Sequence, residues 1–345
     1  MEIAVVGAPG VGKSLALRAM GASEDEATGK KSTSRLVVSV PDARIKHLSS
    51  IYQPKKTTYA RIQFREAGGL GMETPKGTAD FRNNVQGADG MLVVVKDFEF
   101  FGEAPDPASE ATALLEELLT LDYMVTSARM ERIAKALKQG KKSETPAEDE
   151  AMQEVMAILE DGKPLLGNLP EETAMLLKNY AYLTLKHVVV LLNSDEDRAS
   201  DPSPTEQPFD RYPAFRAALP IEAEIAELET EEEQAEFLAD LGIAEPVLHK
   251  IIQSFYAAMD LIPFFTVGED EVRAWTIRRG TKARDAAGEI HSDLSRGFIA
   301  AEVLAYEDFV TYGGFKEAKA KGKVRIESRD YIVKDGDIIN VRFNV

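Results

Sequence analysis

The sequence predicts an α/β fold that carries a long helical insertion and is followed by a smaller α+β domain. Three observations predict it. The first apolar run, residues 2–6, stops at glycines and gives way to a helical pattern from Lys13 to Met20. Two later runs, residues 90–95 and 187–192, are rich in β-branched side chains, the pattern of strands buried on both faces of a parallel sheet. Between those runs, from about residue 110 to 184, the apolar period lengthens to that of a helix.

Within the insertion, Leu114, Leu118, Leu121 and Val125 recur on one helical face, and Met130, Ile133 and Leu137 continue the stripe. A polar break over residues 140–146 precedes a second stripe of Met152, Met156 and Leu159. The expected arrangement is an antiparallel hairpin whose stripes pack on each other and which projects from the α/β domain. Residues 197–213, rich in Pro, Ser and Asp, read as a flexible surface loop, and Glu222 to Glu236 as an acidic helical stretch. From Phe264 short strands alternate with turns, and a Lys-Asp-Gly-Asp turn at 334–337 is expected to join two apolar-alternating strands within residues 329–345. These shifts divide the chain into an α/β domain over 1–110 and 185–262, a helical insertion over 111–184 and a closing domain over 263–345.

Composition narrows the class. At 345 residues, with 44% hydrophobic and 29% charged side chains, the chain has the profile of a folded protein of two or three domains. The absence of cysteine excludes disulfides and thiolate metal sites, and the four histidines are scattered. A strand that starts at residue 2 leaves no room for a signal or transit peptide, and no 18-residue apolar run is present to span a membrane. A cytoplasmic location, away from membranes, is therefore expected. The net charge of −17 resides in residues 1–263, because acidic and basic side chains balance over 264–345. An acidic body repels phosphate backbones at long range, and no DNA-specific motif is present. Any RNA contact is expected to be local, in the C-terminal part.

The strongest local signal is Gly7-Ala8-Pro9-Gly10-Val11-Gly12-Lys13-Ser14, with Leu15 continuing the helix behind it. Two glycines with four residues between them, followed by Lys-Ser and placed between a strand and a helix, meet the structural condition for a phosphate-binding loop. The glycines let the backbone curl so that its N–H groups point inward at phosphate oxygens. Lys13 is expected to reach the β and γ phosphates of a nucleoside triphosphate, and Ser14 to offer its hydroxyl to Mg²⁺. A base reader belongs after a late strand, where Asn193-Ser194-Asp195-Glu196 stands. GTPases use Asn-Lys-x-Asp there; with Ser194 for the lysine and the longer Glu196 for the aspartate, adenine is favoured over guanine.

The phosphate loop, Asn193-x-x-Glu196, the helical insertion and the closing domain together resemble the Obg-like ATPase family, called YchF in bacteria. The likeness covers nearly the whole chain. It is most specific over residues 264–280, over 288–293 and over 296–303, which resemble the family's TGS domain. The resemblance implies an α/β P-loop NTPase domain with an inserted helical hairpin and a C-terminal β-grasp (TGS, ubiquitin-like) domain. It also implies an ATP-preferring, Mg²⁺-dependent NTPase that associates with ribosomes. Leu70 matches the position where this family carries a hydrophobic residue in place of a water-positioning glutamine.

Several positions depart from the family pattern. Glu66 stands where an aspartate holds Mg²⁺ through a water. The switch threonine has no clear counterpart: Lys30 occupies its place, with Ser32, Thr33 and Ser34 nearby. A family histidine is missing after residues 94–101, and the Ser-Ala that backs the base reads Ala218-Leu219. These losses cluster around γ-phosphate sensing, whereas the phosphate cradle is whole. Two readings follow: a slow ATPase (or GTPase) that engages ribosome or RNA, and a non-hydrolysing nucleotide-binding module that acts through partners. Two cationic groups in the closing domain, Lys316, Lys319, Lys321, Lys323 and Arg325 and then Arg273, Arg278, Arg279, Lys282 and Arg284, are either a solvated face or an RNA-phosphate surface. Trp275 is expected to pack in the core rather than to stack on a base.

Overall fold

Apolar runs become strands where their pattern requires. The computed structural model describes residues 1–22, 35–67, 75–139, 146–199, 201–228 and 230–344. In chain order the first elements are β1 (Glu2–Val6), α1 (Lys13–Ala19), β2 (Arg35–Ser39), α2 (Ala43–Tyr52), β3 (Lys56–Thr58), β4 (Arg61–Glu66), α3 (Pro75–Gln86) and β5 (Gly90–Asp97). Then follow α4 (Pro107–Lys138), α5 (Pro146–Glu160), α6 (Glu171–Leu176), β6 (His187–Ser194), β7 (Ala214–Ala217), α7 (Leu219–Ala226), α8 (Glu231–Asp240) and α9 (Val247–Ala258). The chain closes with β8 (Leu261–Thr266), β9 (Glu271–Arg278), α10 (Ala283–Ile290), α11 (Ser292–Arg296), β10 (Phe298–Ala305), α12 (Tyr306–Tyr312), α13 (Phe315–Ala320), β11 (Arg325–Glu327) and β12 (Asp337–Phe343). They form two compact units: Met1–Val38 with Gln63–Ile251, and Ser39–Ile62 with Ile252–Val345.

The first unit is an α/β unit around a sheet of order β2-β4-β1-β5-β6-β7. β1 pairs in parallel with β4 and β5, β5 with β6, and β6 with β7. Every residue from Gly90 to Val95 is buried, as expected of a strand covered on both faces. From β1 the chain first builds the sheet on one side, through β2 and β4, and later on the other, through β5. The loop after β1 therefore opens at the point where strand order reverses, the usual crevice of such sheets.

Helix α4 starts at a capped turn, where Asp106 accepts the Ser109 N–H at 3.1 Å and Pro107 occupies the first helical position. Its stripe does not pack wholly on the second helix. Leu114, Leu118 and Leu121 enter the sheet core beside Val93, Val95 and Val190, whereas Leu119, on another face, and Val125 and Met130 further along meet Met152, Val155 and Leu159. A helix of 32 residues is about 48 Å long at 1.5 Å per residue, enough to serve two cores in succession. Met152 and Val155 of α5 are fully buried whereas Met156 is only half-buried, and Leu137 lies past both cores at 53% exposure. Asp122 breaks the apolar face of α4 for a structural reason. Its carboxylate accepts the backbone N–H of Leu183 at 3.0 Å and of Thr184 at 2.8 Å and pairs with Arg82 at 3.5 Å, pinning the returning chain to the helix.

Two further expectations change. The loop over 197–213 sends Phe209 into the sheet core, where it is 5% exposed. The acidic stretch is two helices, because Thr230 and Glu233 form a capping box that starts α8 afresh. Its first acid, Glu222, is buried in α7 and accepts the Val247 N–H at 3.0 Å.

The second unit is a mixed sheet of order β11-β10-β12-β8-β9-β3. Hairpin partners β8 and β9 are antiparallel, as are β10 and β12, whereas β12 and β8 run parallel. Ile262, Phe264, Ile277, Ala286, Val303 and Ile339 fill its core. Segment 39–62, grouped in the sequence reading with the α/β domain, belongs here. β3 pairs in parallel with β9, with Lys56 opposite Glu271, and Thr58 Oγ1 donates to Glu271 Oε1 at 2.5 Å. From α2, Arg44 pairs with Asp335 at 2.7 Å and His47 Nδ1 hydrogen-bonds Tyr306 Oη at 2.8 Å. Residues 329–333 do not form the expected strand. They make a single bridge, Ile332 to Lys282, and Val333 donates its N–H to Thr281 O at 3.0 Å. Among the described residues, no helix is long and apolar enough to cross a membrane.

Candidate nucleotide-binding site

The loop from Gly7 to Ser14 leaves the C-terminal end of β1 and turns into α1. Two of its glycines are required by neighbours. A Cβ at Gly7 would stand 2.4 Å from Val94 O of the adjacent strand. Gly12 has φ 100°, and a Cβ there would stand 2.6 Å from Asn193 Nδ2. That asparagine donates to Val11 O at 3.0 Å, so the end of β6 is tied to the loop through one side-chain amide. Pro9 and Gly10 are exposed at the mouth, and Leu15 is half-buried behind Ser14.

Lys13 is only 7% exposed and folds back over the loop, donating to Gly7 O at 3.1 Å and to Ala8 O at 2.9 Å. Burial pushes its ammonium pKa below the usual lysine range, while the carboxylates of Glu66 and Glu110 pull it back. Ser14 Oγ donates to Glu66 Oε2 at 3.0 Å, which brings together the two residues read as metal ligands. Glu196 lies exposed in a short helical turn, Glu196–Arg198, away from the buried Asn193 and Ser194. Ala218, buried, caps α7, and Leu219 Cδ1 lies 3.6 Å from the Cβ position on Gly12. Leu70, Lys30, Ser32, Thr33 and Ser34 lie outside the described residues.

Bacillus subtilis (strain 168) has a relative, ribosome-binding ATPase YchF, that is 36% identical over 362 residues, covering 99% of this chain and 98% of that protein. This chain belongs to the YchF/Obg-like ATPase family. Obg-like ATPase 1 of Oryza sativa subsp. japonica is 32% identical, covering 100% of this chain and 92% of its own. The solved structure of the Schizosaccharomyces pombe YchF GTPase superposes with a TM-score of 0.84 at 27% identity, over 99% of this chain and 97% of that one. The family model YchF-GTPase_C, described as a protein of unknown function (DUF933), matches residues 261–344.

In this YchF-family chain, two clusters near the loop escaped the sequence reading. Ser194, in the lysine position of GTPases, donates to Asp97 Oδ2 at 2.8 Å. Asp97, fully buried at the end of β5, also pairs with Arg216 at 2.7 Å and Arg198 at 2.9 Å. Closer to the loop, Glu110 of α4 accepts the Lys96 N–H at 3.1 Å, and its other oxygen is buried without a hydrogen bond. The only sequence signal for either cluster was the charged pair Lys96-Asp97 closing an apolar run.

Outside the loop, Trp275 is half-buried and packs against the core of the second unit, stacked on Phe264, with Arg273 3.8 Å from its ring centroid. Arg279 pairs with Asp260 and Lys282 with Asp330, both at 2.9 Å, so much of that cationic group is neutralised locally. Lys319 pairs with Glu302 at 2.7 Å.

Proposed function

We propose that this chain is a Mg²⁺-dependent NTPase that binds a nucleoside triphosphate in the loop Gly7–Ser14, prefers ATP to GTP and turns it over slowly. The observation that carries this reading is the position of Lys13. A buried ammonium held by two carbonyls of a glycine-rich loop sits where phosphate oxygens would replace those carbonyls as stronger, charge-assisted partners. Asn193 stabilises the loop that wraps the phosphates. The hard oxygens of Ser14 and Glu66 fit Mg²⁺, which takes few protein ligands and fills its octahedron with water and phosphate oxygens. When bound, the ion would neutralise charge developing on the phosphates.

The residues Ser194, Asp195 and Glu196 support an adenine preference, since the loop lacks the Asn-Lys-x-Asp pattern of a guanine reader. Relatives named ribosome-binding ATPase support ribosome engagement by this chain; the surfaces that would make it are the α4–α5 arm and a C-terminal unit that resembles a TGS domain. A second reading, binding without hydrolysis, is favoured by the departures around γ-phosphate sensing, where Glu66 replaces the usual aspartate and the switch threonine has no clear counterpart.

Calorimetry with ATP and GTP in Mg²⁺, followed by phosphate release with and without ribosomes, tests both readings. The proposal expects tighter ATP binding, measurable turnover and loss of binding in Lys13→Ala with the fold retained. Unchanged ATP affinity in Lys13→Ala would refute it, and binding without turnover would establish the second reading.

A further inference from the structure

A second lysine stands at the mouth of the loop. Lys96, half-buried near the end of β5, is in register with Asn193 of β6, the residue that ties β6 to Val11. Its ammonium lies 5.0 Å from the ring centroid of Phe100, and Phe100 Cζ lies 4.0 Å from where a Cβ on Gly10 would stand. Ring and loop thus place this cation on the Pro9–Gly10 side, with Lys13 on the inner side of the same loop. Among the described residues no ion pair claims the Lys96 ammonium.

The surroundings are built rather than incidental. Phe98 and Phe100 meet edge to face at 6.1 Å, and Phe100 and Phe101 at 4.4 Å. Phe101 is 93% exposed and holds φ 52°, a left-handed conformation disfavoured for a residue with a Cβ. Glu110, whose Oε2 accepts the Lys96 N–H, has burial pushing its carboxyl pKa up and Lys96 and Lys13 pulling it down. Both lysines therefore lie within the electrostatic reach of one carboxylate with an unpartnered buried oxygen.

We propose that Lys96 is a second phosphate-facing cation, held against Phe100 in the free protein and contacting the terminal phosphate of a bound nucleoside triphosphate from the Gly10 side of the loop. The inference rests on the nucleotide-binding reading and adds a consequence to it: discrimination of triphosphate from diphosphate by this chain's own side chain. A mobile surface lysine would give no such discrimination.

Calorimetric titration of the full chain with ATP and with ADP, for the wild type, Lys96→Gln and Lys96→Arg, tests it. A lost charge-assisted contact predicts about tenfold weaker ATP binding in Lys96→Gln, little change for ADP, and recovery of most of the loss in Lys96→Arg. Equal loss for both nucleotides, or none, overturns the role of Lys96 while leaving nucleotide binding standing. A wild type that binds neither nucleotide overturns both. Because a substitution at the end of a buried strand risks the fold, a second measurement uses the unaltered protein. Acylation by an amine-reactive reagent, read by peptide mass spectrometry, should be suppressed at Lys96 by ATP and not by ADP; equal labelling in the two states overturns the inference.

Discussion

Ser14 donates its hydroxyl to Glu66 at 3.0 Å, so the two residues that would share a metal ion are joined directly. The extra methylene of glutamate lets the carboxylate reach the serine, where a shorter side chain would leave space for an ion and its waters. Glu66→Asp should therefore free Ser14, raise the affinity for Mg²⁺ in the presence of ATP and increase the rate of phosphate release. Titration of Mg²⁺ against turnover in both proteins checks this; a lower rate with an unchanged Mg²⁺ midpoint would mean that the glutamate is already well placed.

Gly12 is the point where the loop and β6 meet. Gly12→Ala places a methyl at φ 100° and 2.6 Å from Asn193 Nδ2, so it strains the backbone and displaces the amide from Val11. A non-glycine residue in left-handed backbone costs about 1–2 kcal/mol. Chemical denaturation should show a loss of at least about that size, and nucleotide binding should fall with it.

Asp97 collects two arginines and a serine at the end of β5 while remaining fully buried. Removing one partner of a buried pair leaves the others uncompensated, at a cost of about 3–5 kcal/mol. Asp97→Ala should be destabilised on that scale, and Arg216, the better buried of the two arginines, is the partner left most exposed to the penalty. Urea denaturation of Asp97→Ala beside Arg198→Ala would separate the contributions, with the smaller loss expected for Arg198.

Glu302 gives the second unit an acid-sensitive point. Lys319, with Arg342 and Asn340, holds its carboxyl down to about 2 from an ordinary 4.5. A carboxylate lowered on folding contributes its stability fully above the unfolded pKa and loses it as pH falls toward the folded one. Stability should decline from near pH 4.5 toward about 2, and Glu302→Gln should flatten that decline while lowering stability at neutral pH. Denaturation midpoints followed across this range check the slope.

The phosphate loop was legible in the sequence because its chemistry needs contiguous residues at fixed spacing between a strand and a helix. Buried parallel strands were legible for a similar reason, since covering both faces removes the polar alternation. The helical stripe was half legible: periodicity shows that Leu114, Leu118 and Leu121 are buried, but not that the sheet, rather than α5, covers them. Lys96 and Asp97 of β5 and Glu110 of α4 act through space on residues far along the chain, so no local pattern announces them. β3 was invisible because its partner β9 lies more than two hundred residues further along the chain, and three polar residues carry no period of their own.

The pairing of β3 with β9 has a practical consequence for dissecting the molecule. A fragment cut to the family-matched stretch, 261–344, would carry β9 without the strand that covers it. Its backbone groups from Glu271 to Arg273 would be left as a bare sheet edge, a template for pairing between copies. Such a fragment is expected to self-associate, and a soluble version of this half would have to be spliced from two distant pieces of the gene, codons 39–62 joined to those from 252 onward.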